Sequence, residues 1–237
     1  MTETNRLLIV TTNVGEYKKV GYRTGLWLAE LTHFWDVADE AGFEMDIVSP
    51  KGGYVPIDPE SLITTELGAS IGLKGSVHKH YEDRAFMDRL QTTRAVSEVD
   101  PSRYDAIYLT GGHGVMFDFK SPALAELTAA FHDAGKLVSA VCHGPAGLLE
   151  VKLQGGKYLL DGKKVTGFSW KEEQLVKRDR AVPFSLEEEL MNRGAQYDVA
   201  AVPFLPHVIE DGALITGQNP ASARGVGEAV VRRLRAR

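Results

Sequence analysis

A single cysteine, Cys142, occurs in 237 residues, so no disulfide can close within the chain. That usage fits a reducing compartment. Basic residues are not in excess. Against 27 Lys and Arg stand 32 Asp and Glu, a formal charge of −5, which excludes a general positive field for nucleic acid or anionic lipid. No apolar run approaches the roughly 20 residues of a bilayer-crossing helix. The opening MTETNRLLIVTT is too short in its apolar part for a signal peptide and reads as a first strand. A Ser/Gly-rich linker, an internal repeat and a low-complexity tract are all lacking. So are a Walker A sequence and a G-x-G-x-x-G after a strand, leaving nucleotide binding without support. What is present is 43% hydrophobic and 25% charged residue content, which argues for a globular chain over a disordered or fibrous one. A chain this long buries roughly 70–75% of its unfolded surface without covalent staples. The expectation is one domain over 1–237, cytoplasmic, with no cofactor, no metal, no nucleic acid and no membrane.

Short apolar runs alternate with stretches of helical period. Leu7–Thr11, Phe43–Ser49, Ala106–Thr110, Leu137–Val141 and Leu214–Thr216 read as strands, with shorter ones at Val165–Gly167 and Ala195–Ala200. Leu26–Ala41, Leu124–Ala134, Leu186–Arg193 and Ala221–Arg235 read as helices, and Pro145–Val151 as the start of another. Strands alternating with helices, apolar throughout rather than at every second position, predict an α/β fold whose parallel sheet is sandwiched by helices. Residues 51–105 break the rhythm and read as an insertion or cap at the sheet's edge.

The sharpest local feature is KLVSAVCHGPAGLL (Lys136–Leu149). A strand ends at Val141, Cys142 takes the turn, and Pro145 opens a helix, which is the layout of a nucleophile elbow. Ala140 and Gly144 leave room for the sharp turn, and a helix N-terminus beneath a thiol favours thiolate. LTGGHGVMFDF (Leu109–Phe119) places Gly111, Gly112 and His113 after a strand, where backbone N–H groups serve an oxyanion or bind substrate. Glu30 sits among Trp27, Leu31 and Phe34. It either reaches solvent or is buried, and burial makes it a usable acid or base. Thr24 and His33 are polar neighbours of the same helix. His78-Lys79-His80 reads as an exposed loop without further ligands, and Arg232–Arg237 as a helix end charged to suit its dipole.

AVCHGPA (Ala140–Ala146), GGHG (Gly111–Gly114) and ITGQNPA (Ile215–Ala221) together resemble the ThiJ/PfpI superfamily across nearly the whole chain. GYRTGLWLAELTHF (Gly21–Phe34) and VTGFSWKEE (Val165–Glu173) are similar to its heat-shock-chaperone and glutathione-independent glyoxalase III branch. The resemblance implies a flavodoxin-like sheet. It also implies a triad of Cys142, His143 and Glu173, with Glu172 one residue away as an alternative. The acid near the first helix falls on Glu30, and the oxyanion-hole glycine on Gly112, helped by the His143 backbone. VPFSLEEELMNRGAQY resembles a subgroup named only as class I glutamine amidotransferase-like. The C-terminal H-x-E of true amidotransferases is missing, since Val208 and Ile209 follow His207.

The implied reaction converts methylglyoxal or a related 2-oxoaldehyde to a 2-hydroxy acid, without metal or glutathione. Cys142 attacks the aldehyde, an enediol follows with Glu30 or His143 moving the proton, and water releases the acid. The partner expected is a small carbonyl compound, and family members often form homodimers. Deglycase, holdase chaperone with a redox-sensing Cys142, and peptidase or amidase are the alternatives.

Overall fold

Leu7–Val10 is buried on both sides, as a strand covered by helices on either face must be. The computed structural model describes residues 4–63 and 75–237, so part of the expected insertion, 64–74, lies outside the described residues. Strand β1 (Arg6–Val10) pairs in parallel with β2 (Glu44–Ser49) on one side, and β3 (Arg94–Ala95) extends that side. On the other side lie β4 (Ala106–Leu109), β5 (Leu137–Val141) and β9 (Leu214–Gly217), all parallel. The order β3-β2-β1-β4-β5-β9 reverses direction at β1, and open α/β sheets gather ligands at the carboxyl ends beside such a point.

One face of the sheet is covered by α1 (Leu28–Glu40) and α8 (Ala223–Arg235), which pack on each other through Phe34, Val37, Val226 and Val230. The other face is covered by α5 (Pro122–Asp133), through Leu124, Leu127 and Phe131. Ser121 caps α5 by accepting from the Leu124 N–H, with Pro122 pre-set for the first turn. Among the shorter helices are α3 (Arg84–Asp88), α4 (Val115–Asp118) and α7 (Leu186–Asn192), the last of which seats Leu186 and Leu190 in the same core as α5. No helix among the described residues is long and apolar enough to cross a membrane.

The structure departs from the sequence reading at several places. An antiparallel edge strand, β8 (Val208–Asp211), pairs with β9 through a two-residue turn at Gly212-Ala213, so the sheet is mostly rather than wholly parallel. The Asp211-Gly212 step is a hairpin signal that the reading passed over. Pro145–Val151 forms only a short 3₁₀ turn, Gly144–Leu148. Two glycines in five residues are poor helix formers, and the turn is buried throughout. The short strands expected near 165 and 195 pair as a separate ribbon of β6 (Lys164–Val165) and β7 (Gln196–Tyr197). His78 and His80 lie on a helix, α2 (Ser76–Glu82), and not on an exposed loop. His80 is buried with its Nε2 2.7 Å from Asp36, while His78 pairs with Glu82.

Candidate active site

Cys142 follows β5 with φ +57°, a left-handed conformation that costs a non-glycine residue about 1–3 kcal/mol and that a nucleophile elbow requires. The surroundings hold it there. Its N–H donates to Gly217 O at 2.9 Å, and its carbonyl accepts from the Phe168 N–H at 2.8 Å. Gly144 lets the elbow seat against β4, because a Cβ there would lie 2.3 Å from Leu109 O.

Glu30 is brought to the thiol by a reciprocal contact. The Trp27 N–H, at the start of α1, donates to Gly111 O at 3.3 Å. One turn later the Glu30 carboxyl accepts the Gly111 N–H at 2.7 Å through Oε2. A Cβ on Gly111 would meet that oxygen at 2.5 Å and the Cys142 Cβ at 2.9 Å, so the approach requires glycine. The Tyr108 hydroxyl donates to the Glu30 carbonyl at 2.9 Å and its ring stacks on Phe34 at 3.8 Å, fixing α1 over β4. Glu30 has no exposed surface, and its Oε1 accepts no N–H or O–H from the described residues; the Cys142 thiol is a polar group beside the carboxyl. Burial, with help from the charge of Asp58, pushes the Glu30 acid up to about 8 against the pull of the thiol and the Gly111 N–H. Burial and the neighbouring Glu30 push the Cys142 thiol well above its ordinary value, while the Gly112 N–H facing the sulfur pulls it down. These surroundings favour the thiol, where the helix-terminus argument had favoured thiolate. The 3₁₀ turn behind Cys142 is too short to supply the field.

Cys142 Sγ lies 3.4 Å from His143 Nδ1, and His143 Nε2 lies 2.7 Å from Glu173 Oε2. The acid comes from α6 (Trp170–Leu175), a helix the sequence reading missed although Ser169-x-x-Glu172 is a capping-box signature. That box separates the two candidate acids. Glu172 turns back to accept from the Ser169 N–H and hydroxyl, and its other oxygen accepts from the Phe204 N–H and Asn219 Nδ2. Glu173 is left to face the histidines. Burial works against its ionisation, but attraction to His143 and His113 outweighs this and holds the carboxyl well below the usual range.

His113 is buried. Its Nε2 lies 2.7 Å from Glu173 Oε1, and burial followed by the neighbouring His143 lowers its basicity. The ligand atoms of His113, His143 and Glu173 all lie within 4.8 Å of one another, a spacing a divalent cation could gather. As they stand, both Nε2 atoms are spent on the two oxygens of the carboxyl. Sequence reasoning missed Asp58, which is buried, accepts the Thr24 hydroxyl at 2.9 Å and faces both Glu30 and His113. Phe168, whose ring lies 4.6 Å from that of His143, was missed as well. No pattern in the local sequence marks either one. His33 stands apart from this cluster, beside Asp36 and Arg224.

Comparison with known proteins gives matches over nearly the whole chain. The model of the DJ-1/PfpI family matches residues 23–233. A probable glutathione-independent glyoxalase of Schizosaccharomyces pombe, hsp3103, is 31% identical, with 96% of this chain and 97% of that protein covered. The crystal structure of glyoxalase III from Candida albicans superposes with a TM-score of 0.85 at 27% identity, covering 96% of both chains. The Rapid Encystment Protein 24 kDa of Francisella tularensis superposes with a TM-score of 0.89 at 34% identity, covering 98% of this chain and 99% of that one.

Proposed function

The chain belongs to the DJ-1/PfpI family, and on that premise we propose that it is a cysteine-dependent, glutathione-independent glyoxalase converting methylglyoxal, or a close 2-oxoaldehyde, to the 2-hydroxy acid. One observation carries the reading: a fully buried carboxyl, Glu30, lies beside a buried thiol that His143 and Glu173 serve from its other side. Hydrolysis of an amide needs the thiol and imidazole only. A second, water-excluded base within reach of the carbon bonded to sulfur suits carbon-to-carbon proton transfer.

In this scheme Sγ bonds to the aldehyde carbon and the thiol proton passes to His143 Nδ1. The Gly112 N–H, with the His143 backbone, stabilises the oxygen of the opened carbonyl. Glu30, as carboxylate, takes the hydrogen of that carbon while the electron pair moves toward the adjacent ketone, giving an enediol. Return of the proton to the second carbon leaves a thioester of the 2-hydroxy acid. Water, activated by His143, then cleaves the carbon–sulfur bond and restores the thiol. The sum is 2-oxoaldehyde plus water to 2-hydroxy acid, with no net oxidation. Glu173 keeps the His143 ring oriented. The test is lactate formation from methylglyoxal without glutathione and with EDTA present. Wild type forms lactate and Cys142→Ala does not; lactate from Cys142→Ala, or none from wild type, overturns the scheme.

A second reading rests on Val199, Val202, Phe204 and Leu205, apolar side chains exposed along one loop. Such a patch suits client binding by a holdase chaperone, or the interface of a homodimer. Suppression of aggregation that survives Cys142→Ala distinguishes the first. Sedimentation of wild type against Phe204→Asp distinguishes the second. The lone cysteine fits action in a reducing cytoplasm.

A further inference from the structure

His113 has no part in the scheme above, yet it is built into the site as firmly as the triad. It comes from the loop after β4 and is 4% exposed, with its ring 4.2 Å from that of His143, 5.5 Å from Tyr17 and 6.1 Å from Phe168. Its Nε2 and that of His143 each lie 2.7 Å from Glu173, on different oxygens of one carboxyl. We infer that His113 is a positioning residue: by donating to Oε1 it locks the Glu173 carboxyl with Oε2 aimed at His143, and so keeps the His143 Nδ1 lone pair on the Cys142 thiol. The inference rests on the triad as read above.

The lock acts on the tautomer of His143. A glutamate has three side-chain torsions, and its terminal one is soft, so one hydrogen bond leaves the carboxyl free to turn. A second donor on the other oxygen removes that freedom. It also keeps the acid ionised where burial opposes it. Were Glu173 to hold a proton, it would donate to His143 Nε2. The ring would then carry its own proton on Nδ1, and the lone pair needed by the thiol would be lost. The other groups facing this pair do not replace His113. Asp58, from the segment after β2, brings negative charge. Tyr17 is engaged with Thr24 and Arg178, and Arg178 pairs with Glu60. On the far side of His143 lie Cys142 and Glu30.

The test compares His113→Phe, which keeps the ring packing but lacks the donor, with His113→Gln, which restores an N–H. Expected for His113→Phe is a kcat about 10- to 100-fold lower, the loss that follows when a catalytic group is slightly misplaced, with KM little changed. Glu30 sets the limb near pH 8, so the effect on Glu173 is read below it: the rate of His113→Phe should show an added fall at the acid end that wild type lacks, and His113→Gln should recover most of the rate. Alkylation of Cys142 by iodoacetamide against pH is read in parallel, since it needs no turnover. A wild type that makes no lactate, while His113→Phe still shifts the alkylation profile, removes the glyoxalase reading and leaves the positioning role standing. A folded His113→Phe with wild-type kcat and alkylation profile overturns the inference. So does equal damage by Phe and Gln with no added fall at the acid end, the mark of a merely structural residue. If His113→Phe does not fold, His113→Asn, too short to reach Oε1, takes its place with the same expectations.

Discussion

Replacing Glu30 with Gln is expected to stabilise the protein while disabling it, and the size of the gain follows from burial. The fold raises the acid from 4.5 to about 8, so it favours the protonated carboxyl. The sign follows: this contribution is fully present below pH 4.5 and is lost as pH rises toward 8, where the buried carboxylate goes unneutralised. Each pH unit between the two values is worth about 1.4 kcal/mol, which makes an upper value of about 5 kcal/mol. The N-terminal dipole of α1, with Glu30 in its first turn, returns part of this, so a gap of about 3–5 kcal/mol is expected. The amide that Glu30→Gln introduces can still accept the Gly111 N–H and carries no charge. Urea unfolding of wild type and Glu30→Gln at intervals from pH 5 to 9 measures the difference directly. The two should be nearly equal at pH 5 and diverge to the full gap by pH 9. Repeating the pair on Cys142→Ala removes the coupling to the thiol. A gap that stays constant across the range refutes the buried-acid account. Over the same variants, lactate formation should fall about 10²- to 10⁴-fold, the usual contribution of a general base.

For wild type, kcat/KM should rise as pH increases through about 8, because the base form of Glu30 is needed and is the minor form below that value. A flat profile from pH 6 to 9 would place the base elsewhere. Glu173→Gln and Glu172→Gln should part company: the first loses up to about 10⁴-fold in kcat with its fold intact. The second keeps kcat within a few-fold but loses about 1–3 kcal/mol, read as a lower melting temperature, because a Gln NH₂ would face donors that Glu172 now satisfies. Gly144→Ala should destabilise by more than about 2 kcal/mol in urea unfolding, since its methyl has only backbone carbonyls to push against.

The elbow was legible because its requirements are local. A buried strand, small residues around Cys142 and a proline two residues after His143 are all written within ten positions, and the turn they specify is the one found. The sheet was legible for the same reason, strand by strand, down to the apolar runs that make β1, β4 and β5 continuous cores. The site's long-range parts were not. Asp58 reaches Thr24 across 34 positions and Gly111 reaches Glu30 across 81, and nothing in either neighbourhood announces the other. Glu172 and Glu173 lie between these cases. Their difference is local, a capping box that consumes one acid and frees the next, but it becomes visible only once α6 is recognised as a helix with Ser169 at its head. The same division explains His113. Its glycine-rich loop could be read, but its role could not, because that role is set by a carboxyl 60 positions away which it shares with the neighbour of the nucleophile. Local rules therefore place the nucleophile, and packing decides which acids and imidazoles it can use.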